Sequence, residues 1–167
     1  MATFTWYNGE VPQGMKVTQV YGLVFSTDGR MLLIVKHKKD RVEYSLAGGT
    51  PEDFDISREA TLRRELLEEA NTTLGDKTVV AGYQEVDEEN GIPPYAQMRM
   101  VALIDSIGEV KPDPDNGETY GRILAHPQRV IELLNWGETG RAQVMRAMQI
   151  ATEEFGITTF NEKEENV

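Results

Sequence analysis

Apolar and polar residues along this chain recur with two different periods, and the change from one to the other marks the elements. Gln19-Val-Tyr-Gly-Leu-Val-Phe25 and Met31-Leu-Leu-Ile-Val-Lys36 are rich in β-branched, aromatic and aliphatic residues, with Asp28-Gly29 between them. Such runs around an Asp-Gly pair predict a β-hairpin. Thr78 to Val86 and Tyr95 to Ile104, separated by Glu88-Glu-Asn-Gly-Ile-Pro-Pro94, predict two more strands. In the second, a period of two places Gln97, Arg99 and Val101 on one face and Met98, Met100 and Ala102 on the other. Gly121 to Ala125 predicts a shorter strand. Elsewhere the period lengthens. Leu62, Leu66 and Ala70 recur at i, i+4 and i+8, the apolar stripe of a helix. A helical region begins over Pro127 to Leu134, and a last helix is predicted from about Thr139 to Phe155, with Val144, Ala147, Met148, Ala151 and Phe155 on one side. The charged tail Asn161 to Val167 has no such stripe and is expected to fray.

Strands interleaved with helices over 167 residues, with no Pro/Ser-rich linker, repeat or low-complexity block, predict one α/β domain over residues 1–160 followed by the tail 161–167. The N-terminus lacks a basic region followed by an apolar core, and no run is long enough to span a membrane, so a cytoplasmic protein is expected. Zero cysteines exclude disulfides and thiolate chemistry. With 17 basic against 28 acidic residues the formal charge is −11, which argues against an extended nucleic-acid partner, because phosphate backbones are held by arrays of Arg and Lys. A small nucleotide needs only a few local cations.

The acids are not evenly spread. Arg64-Glu-Leu-Leu-Glu-Glu69 places Glu65, Glu68 and Glu69 at i, i+3 and i+4, so that all three project from neighbouring positions beside the Leu62–Leu66–Ala70 stripe. Helices ordinarily offset such glutamates with Lys or Arg at i+4. Here the positions four beyond Glu65, Glu68 and Glu69 are Glu69, Thr72 and Thr73, and only Arg64 is basic. Under-neutralised carboxylates suit a hard divalent cation, and Mg²⁺ in particular shares its shell with substrate phosphates. A solvated acidic face is the competing reading for three glutamates alone.

The surrounding residues decide between them. Gly48-Gly49, Asp55 and Arg64-Glu65-Leu66-Leu67-Glu68-Glu69-Ala70-Asn71 together resemble the Nudix box, a loop-helix-loop in which a glycine and a glutamate precede an Arg-Glu-aliphatic-any-Glu-Glu core. Gly49 fits the glycine, and Arg64, Glu65, Leu66, Glu68 and Glu69 fit the core letter for letter. Asp55 stands for the first glutamate, with one extra residue before Arg64, while Asn71 and Thr72 replace the closing glycine and aliphatic. Asn tolerates the left-handed conformation that ends helices, so Asn71 is expected to cap this one.

The resemblance implies an α/β/α sandwich with a mixed β-sheet, a catalytic loop-helix-loop and a long terminal helix. It implies Mg²⁺, or Mn²⁺ in its place, held by Glu65, Glu68 and Glu69 with help from the Gly49 carbonyl, and a pyrophosphohydrolase that cleaves a nucleoside diphosphate linked to another moiety. Arg64 and Asp55 are implied as a structural brace. The general base varies within the family, and Glu118, in the loop Asp113-Pro-Asp-Asn-Gly-Glu118, is the preferred fourth acid, a solvated turn residue being the alternative. Lys36, His37, Lys38, Lys39 and Arg41 ahead of the box read either as phosphate contacts or as a solubilising loop, with position favouring contact. Arg99, Gly48 and Gly49 complete the candidate substrate contacts. His37 and His126 lack zinc-ligand spacing. Tyr21, Tyr44, Tyr83 and Tyr95 can stack on a base, although strand aromatics are more often core. Family members with bulky ligands often form homodimers, an expectation that no particular residue carries here. The identity of the second moiety is not written in the sequence. The alternative function is a regulatory domain of this family that binds nucleotides without cleaving them; an isomerase of the family would call for a catalytic cysteine.

Overall fold

A mixed β-sheet separates two apolar layers, and the period-two alternation of its strands decides which residue enters which layer. The computed structural model covers residues 1–167. In chain order the elements are β1 (Thr3–Asn8), β2 (Val17–Phe25), β3 (Met31–His37), β4 (Val42–Ser45), β5 (Ala47–Gly49), α1 (Arg58–Ala70), β6 (Thr72–Asp87), β7 (Tyr95–Ile107), β8 (Gly121–Ala125), α2 (Pro127–Leu134), α3 (Gly137–Phe155) and β9 (Glu165–Asn166). The sheet runs β1-β6-β7-β2-β3-β8-β9, with β4 on β3 and β5 on β2. Strands β2 and β7 are parallel and the other pairs antiparallel.

On one face Leu23, Phe25, Leu33, Val101 and Ile123 pack against Val130 of α2 and Val144, Ala147 and Ile150 of α3. On the other Val20, Val24, Leu32, Met98 and Met100 pack against Leu62, Leu66 and Ala70 of α1. This is the α/β/α sandwich expected. Each Val, Leu, Ile, Phe or Met among them, once buried, contributes about 1.5–3 kcal/mol. The approach of α1 depends on Gly22, where a Cβ would lie 2.7 Å from Val24 Cγ2 and 3.0 Å from Leu62 Cδ1.

The expected hairpin between residues 19 and 36 is largely opened. β2 and β3 share a single register pair, Phe25 opposite Met31, and then splay apart. β4 pairs with β3 from Ile34 to His37, and β5 pairs with β2 from Val20 to Gly22. The segment entering the gap supplies backbone partners to both strands, so opening the hairpin leaves no ladder edge unsatisfied. It also sets Gly48 beside Tyr21.

Three further departures have local causes. β6 begins at Thr72 rather than Thr78 because register shifts between Leu74 and Thr78 and between Val80 and Gly82 break its alternation. β1 has no strong apolar period yet pairs along β6 from Thr3 to Asn8, and Gly82 leaves room for it, since a Cβ there would be 2.2 Å from the Tyr7 carbonyl oxygen. The tail expected to fray is docked: Glu165 and Asn166 pair with β8, Asn161 donates to Asp28, and Arg122 donates to the Val167 carbonyl through Nε and Nη2 at 3.1 and 2.9 Å. Its polar residues have partners that a sequence pattern cannot display.

Candidate functional site

Helix α1 is fixed at both ends. Ser57 Oγ accepts from the Ala60 N–H at 3.0 Å, a side-chain N-cap. Asn71 closes the helix in the left-handed conformation, φ 46° and ψ 45°, with its N–H on the carbonyls of Leu66 and Leu67. Its side-chain amide donates to the Glu109 carbonyl at 2.9 Å, which glycine could not do. Asn71 therefore serves as the C-cap expected and ties the helix end to the next loop as well.

Arg64 joins the loop to the helix. It donates to both oxygens of Asp55, Nε at 3.0 Å and Nη2 at 2.9 Å, and Nη2 reaches the Thr50 carbonyl. Asp55 also accepts from Glu52 N and Thr61 Oγ1, each at 2.9 Å. These bonds hold the Asp55 carboxyl well below the usual carboxylate range, the guanidinium of Arg64 contributing most. The shorter aspartate and the longer loop thus compensate each other. Nη1 of Arg64 spans Glu65 Oε1 at 3.0 Å and Glu68 Oε2 at 3.3 Å.

Glu69 is held differently. Its Oε1 accepts from Gly48 N at 2.9 Å, and burial pushes its pKa up to about 7, with Glu65 and Asp113 adding to the rise and Lys36 opposing it. Glu65 is raised as well, first by burial, with Arg64 opposing and Glu68 and Asp113 reinforcing. Gly49 sits against that carboxylate: a Cβ there would be 2.5 Å from Glu65 Oε1. No three His, Asp or Glu side chains form a ready-made cage in this conformation, because Arg64 engages two of the glutamates and the Gly48 N–H the third. The donor set nevertheless fits a hard divalent cation, being all oxygen, with burial and neighbouring carboxylates raising the pKa of Glu65 and Glu69.

The loop after β7 brings the charge of Asp113 to bear on this face. Glu118 is exposed and accepts from the Tyr120 hydroxyl at 2.8 Å, whereas Asp113 is buried and its charge acts on Glu65 and Glu69. Of the basic run ahead of the box, Lys36 acts on Glu69 and lies over the Tyr120 ring at 5.0 Å. Arg41 is paired with Asp40 and Glu43 on the surface. His126 accepts from Gln128 N at the start of α2 and packs edgewise on Phe160. Tyr83 stacks on Tyr7, and Tyr95 donates to Glu88.

Tyr21 is placed otherwise. It lines a cavity of about 400 Å³ on the α3 side of the sheet, with Arg99, Trp136, Gln97, Gln84 and Gln19 among its walls. Arg99 is 2 % exposed, its guanidinium carbon 4.8 Å from the Tyr21 ring centre and 5.7 Å from that of Trp136. Nε donates to Gln143 Oε1 at 2.9 Å and Nη1 to the Gln97 carbonyl at 3.4 Å. No carboxylate acts on it, and burial lowers its pKa to about 10. The cavity adjoins the acidic face: Tyr21 lies between Arg99 and Gly48 in the sheet, and feels the charges of Arg99, Glu69 and Glu65. The glutamines and Trp136 were not singled out from sequence. A signal existed, since Gln143 interrupts the apolar side of α3 and Gln19 and Tyr21 share a strand face.

The NUDIX domain model matches residues 15–155. Among solved structures, a mutant of the Bacillus subtilis pyrophosphohydrolase BsRppH superposes with a TM-score of 0.66 at 17% identity, over 89% of this chain and 91% of that one. A MutT structure from work on Aliivibrio salmonicida and Vibrio cholerae gives 0.56 at 15% identity, over 78% and 98%. A Nitrosomonas europaea NUDIX hydrolase gives 0.57 at 16% identity, over 80% and 87%. No curated protein matches by sequence. At these identities the likeness is one of fold, while the family match spans the box, both layers of the sandwich and the whole of α3; the chain belongs to the Nudix hydrolase superfamily.

Proposed function

We propose that this protein hydrolyses a nucleoside diphosphate linked to a second moiety, with Mg²⁺, or Mn²⁺ in its place, at the acidic face of α1. The observation that carries the reading is Glu69, a carboxylate set by a Gly48 N–H among Glu65, Asp113 and Lys36, with no ion pair of its own. Holding that carboxylate partly buried beside others costs stability, and a bound cation would offset the cost. Glu65, Glu68 and Glu69 would hold the cation, which when bound polarises phosphate oxygens and lowers the pKa of water.

The chain's own groups do the rest. Arg64, fixed by Asp55 and Thr50, orients Glu65 and Glu68 and keeps the loop against the helix. Gly48 N–H aims the Glu69 carboxylate, and Lys36 supplies positive charge beside it. Asp113 is the better candidate than Glu118 for the acid that accepts the proton of the attacking water, because it is buried and its charge acts on Glu65 and Glu69, while Glu118 is exposed and engaged by Tyr120. The test is incubation with Mg²⁺ and a panel of ADP-ribose, diadenosine polyphosphates, NADH, nucleotide sugars and nucleoside triphosphates, against an EDTA control. Metal-dependent release of phosphate or a nucleoside monophosphate from one class is expected. No cleavage, with ligand-induced thermal stabilisation retained, would overturn hydrolysis in favour of a nucleotide-binding regulatory domain.

A further inference from the structure

The Arg99 cavity contains a buried cation that nothing in the protein neutralises. A guanidinium 2 % exposed, without a carboxylate partner, is a costly arrangement in a chain of net charge −11. Arg99 has five N–H donors, of which Nε is held by Gln143 and one on Nη1 by the Gln97 carbonyl. The other three have no acceptor in the protein. Ser45 Oγ, in the same wall, is also buried without a partner. Two unmatched polar groups in one cavity point to a ligand.

The donors around Arg99 are ordered by Arg99 itself. Its Nε–H can only donate, so it fixes Gln143 with the amide oxygen inward; Gln143 Nε2 then donates to Gln84 Oε1 at 3.3 Å, Gln84 Nε2 to Gln97 Oε1 at 3.1 Å, and Gln97 Nε2 to Gln19 Oε1 at 2.9 Å. Every amide oxygen of this ladder already accepts a hydrogen bond. The groups on Arg99 left without any partner are N–H donors, and these call for acceptors on a ligand. A phosphate is a poor match, because the cavity has one cation, no lysine in its walls, and the rings of Tyr21, Trp136 and Phe4 around it. Aromatic walls with a planar fork at one end suit a planar ring that presents two adjacent acceptors. Between the purines a 6-oxopurine does so, through O6 and N7, whereas adenine offers N7 beside an amino donor.

We infer that this cavity is the base subsite of the substrate proposed above, and that Arg99 selects guanine or hypoxanthine over adenine. The inference rests on the nucleotide reading of the acidic face. Its geometry agrees with that reading: Arg99, Tyr21 and Gly48 are consecutive across β7, β2 and β5, and the Gly48 N–H donates to Glu69, so one row across the sheet leads from the cavity to the acidic face. Tyr21 forms the wall between them.

The test is binding of GMP, IMP, AMP and inorganic phosphate to the full chain in EDTA, followed by calorimetry and by tryptophan fluorescence, to which Trp6 and Trp136 contribute, with no turnover involved. GMP and IMP are expected to bind alike and roughly tenfold or more tighter than AMP. Arg99→Met, checked for folding by its melting temperature, is expected to bring that ratio close to 1, and Arg99→Lys, which keeps the charge without the fork, to reduce it. AMP binding as tightly as GMP to the wild-type protein would overturn the inference whatever the variants do, and inorganic phosphate competing with GMP at comparable affinity would identify an anion pocket instead. Since the assay needs neither metal nor cleavage, a failed hydrolysis panel leaves the base preference readable, and cleavage without base preference removes this inference alone.

Discussion

The acidic face of α1 and the Arg99 cavity both hold charge without a matching counter-ion, and the charges are of opposite sign. Around Glu69 the excess is negative, built from neighbouring carboxylates and relieved only by Arg64 and Lys36. Around Arg99 it is a single positive fork among aromatic rings and amides. The difference separates two tasks. Crowded carboxylates suit a divalent cation and the phosphates it brings, whereas one planar donor in an apolar cavity suits the edge of a ring. The opened β2–β3 hairpin joins them, because the inserted β5 sets Gly48 against Tyr21 and thereby places the glutamates beside the cavity.

The comparison breaks most severely from the acidic side. Glu69→Gln is expected to fold normally, with an unchanged or higher melting temperature since a buried charge is removed, while turnover falls roughly 100-fold or more. Steady-state kinetics beside thermal unfolding check this, and a variant of equal activity would sink the assignment of the metal site. Arg64→Ala comes next: it leaves Asp55, Glu65 and Glu68 without their shared partner, and a loss of about 2–4 kcal/mol in urea unfolding is expected.

Smaller changes sharpen the distinction between the face and the scaffold that carries it. Asn71→Ala puts a side chain that disfavours the left-handed region at the end of α1 and is expected to cost about 1–2 kcal/mol, most of which Asn71→Gly restores; equal losses in the two variants would assign the effect to the Glu109 bond instead. The smallest effect lies away from both regions. Ser26, Arg30 and Asn161 hydrogen-bond Asp28 and lower its pKa to about 2 against the opposing effect of burial. A folded value below the unfolded one, near 4, means that Asp28 stabilises the protein above about pH 4 and that this is lost as pH falls toward 2. The stability difference between wild type and Asp28→Asn should therefore shrink over that window, as acid-limb unfolding curves would show.

The two regions also differ in how far a sequence displays them. Glu65, Glu68, Glu69 and Arg64 are neighbours in the chain, and helical periodicity alone brings them together. Asn71 and Asp55 were legible for the same reason, one by its position after the helix and the other by its count from Gly49. The cavity draws Phe4, Gln19, Tyr21, Ser45, Gln84, Arg99 and Thr139 from β1, β2, β4, β6, β7 and α3, and only the sheet order brings those strands side by side. Glu118 and Asp113 fall between these cases. Both acids stand in one turn-rich loop, and what separates them is the Tyr120 hydroxyl that engages Glu118, a contact no spacing rule contains. The docked tail was hidden likewise, with Glu165, Asn161 and the Val167 carbonyl meeting Arg30, Asp28 and Arg122 from distant parts of the chain.

The central claim is that the glutamates of α1 bind a divalent cation, and calorimetric titration of Mg²⁺ into the wild-type protein and into Glu69→Gln tests it most directly. Saturable binding by the wild type, weakened about tenfold or more in the variant, is the predicted result. Equal Mg²⁺ affinity in the two proteins, or none in the wild type, would contradict the account.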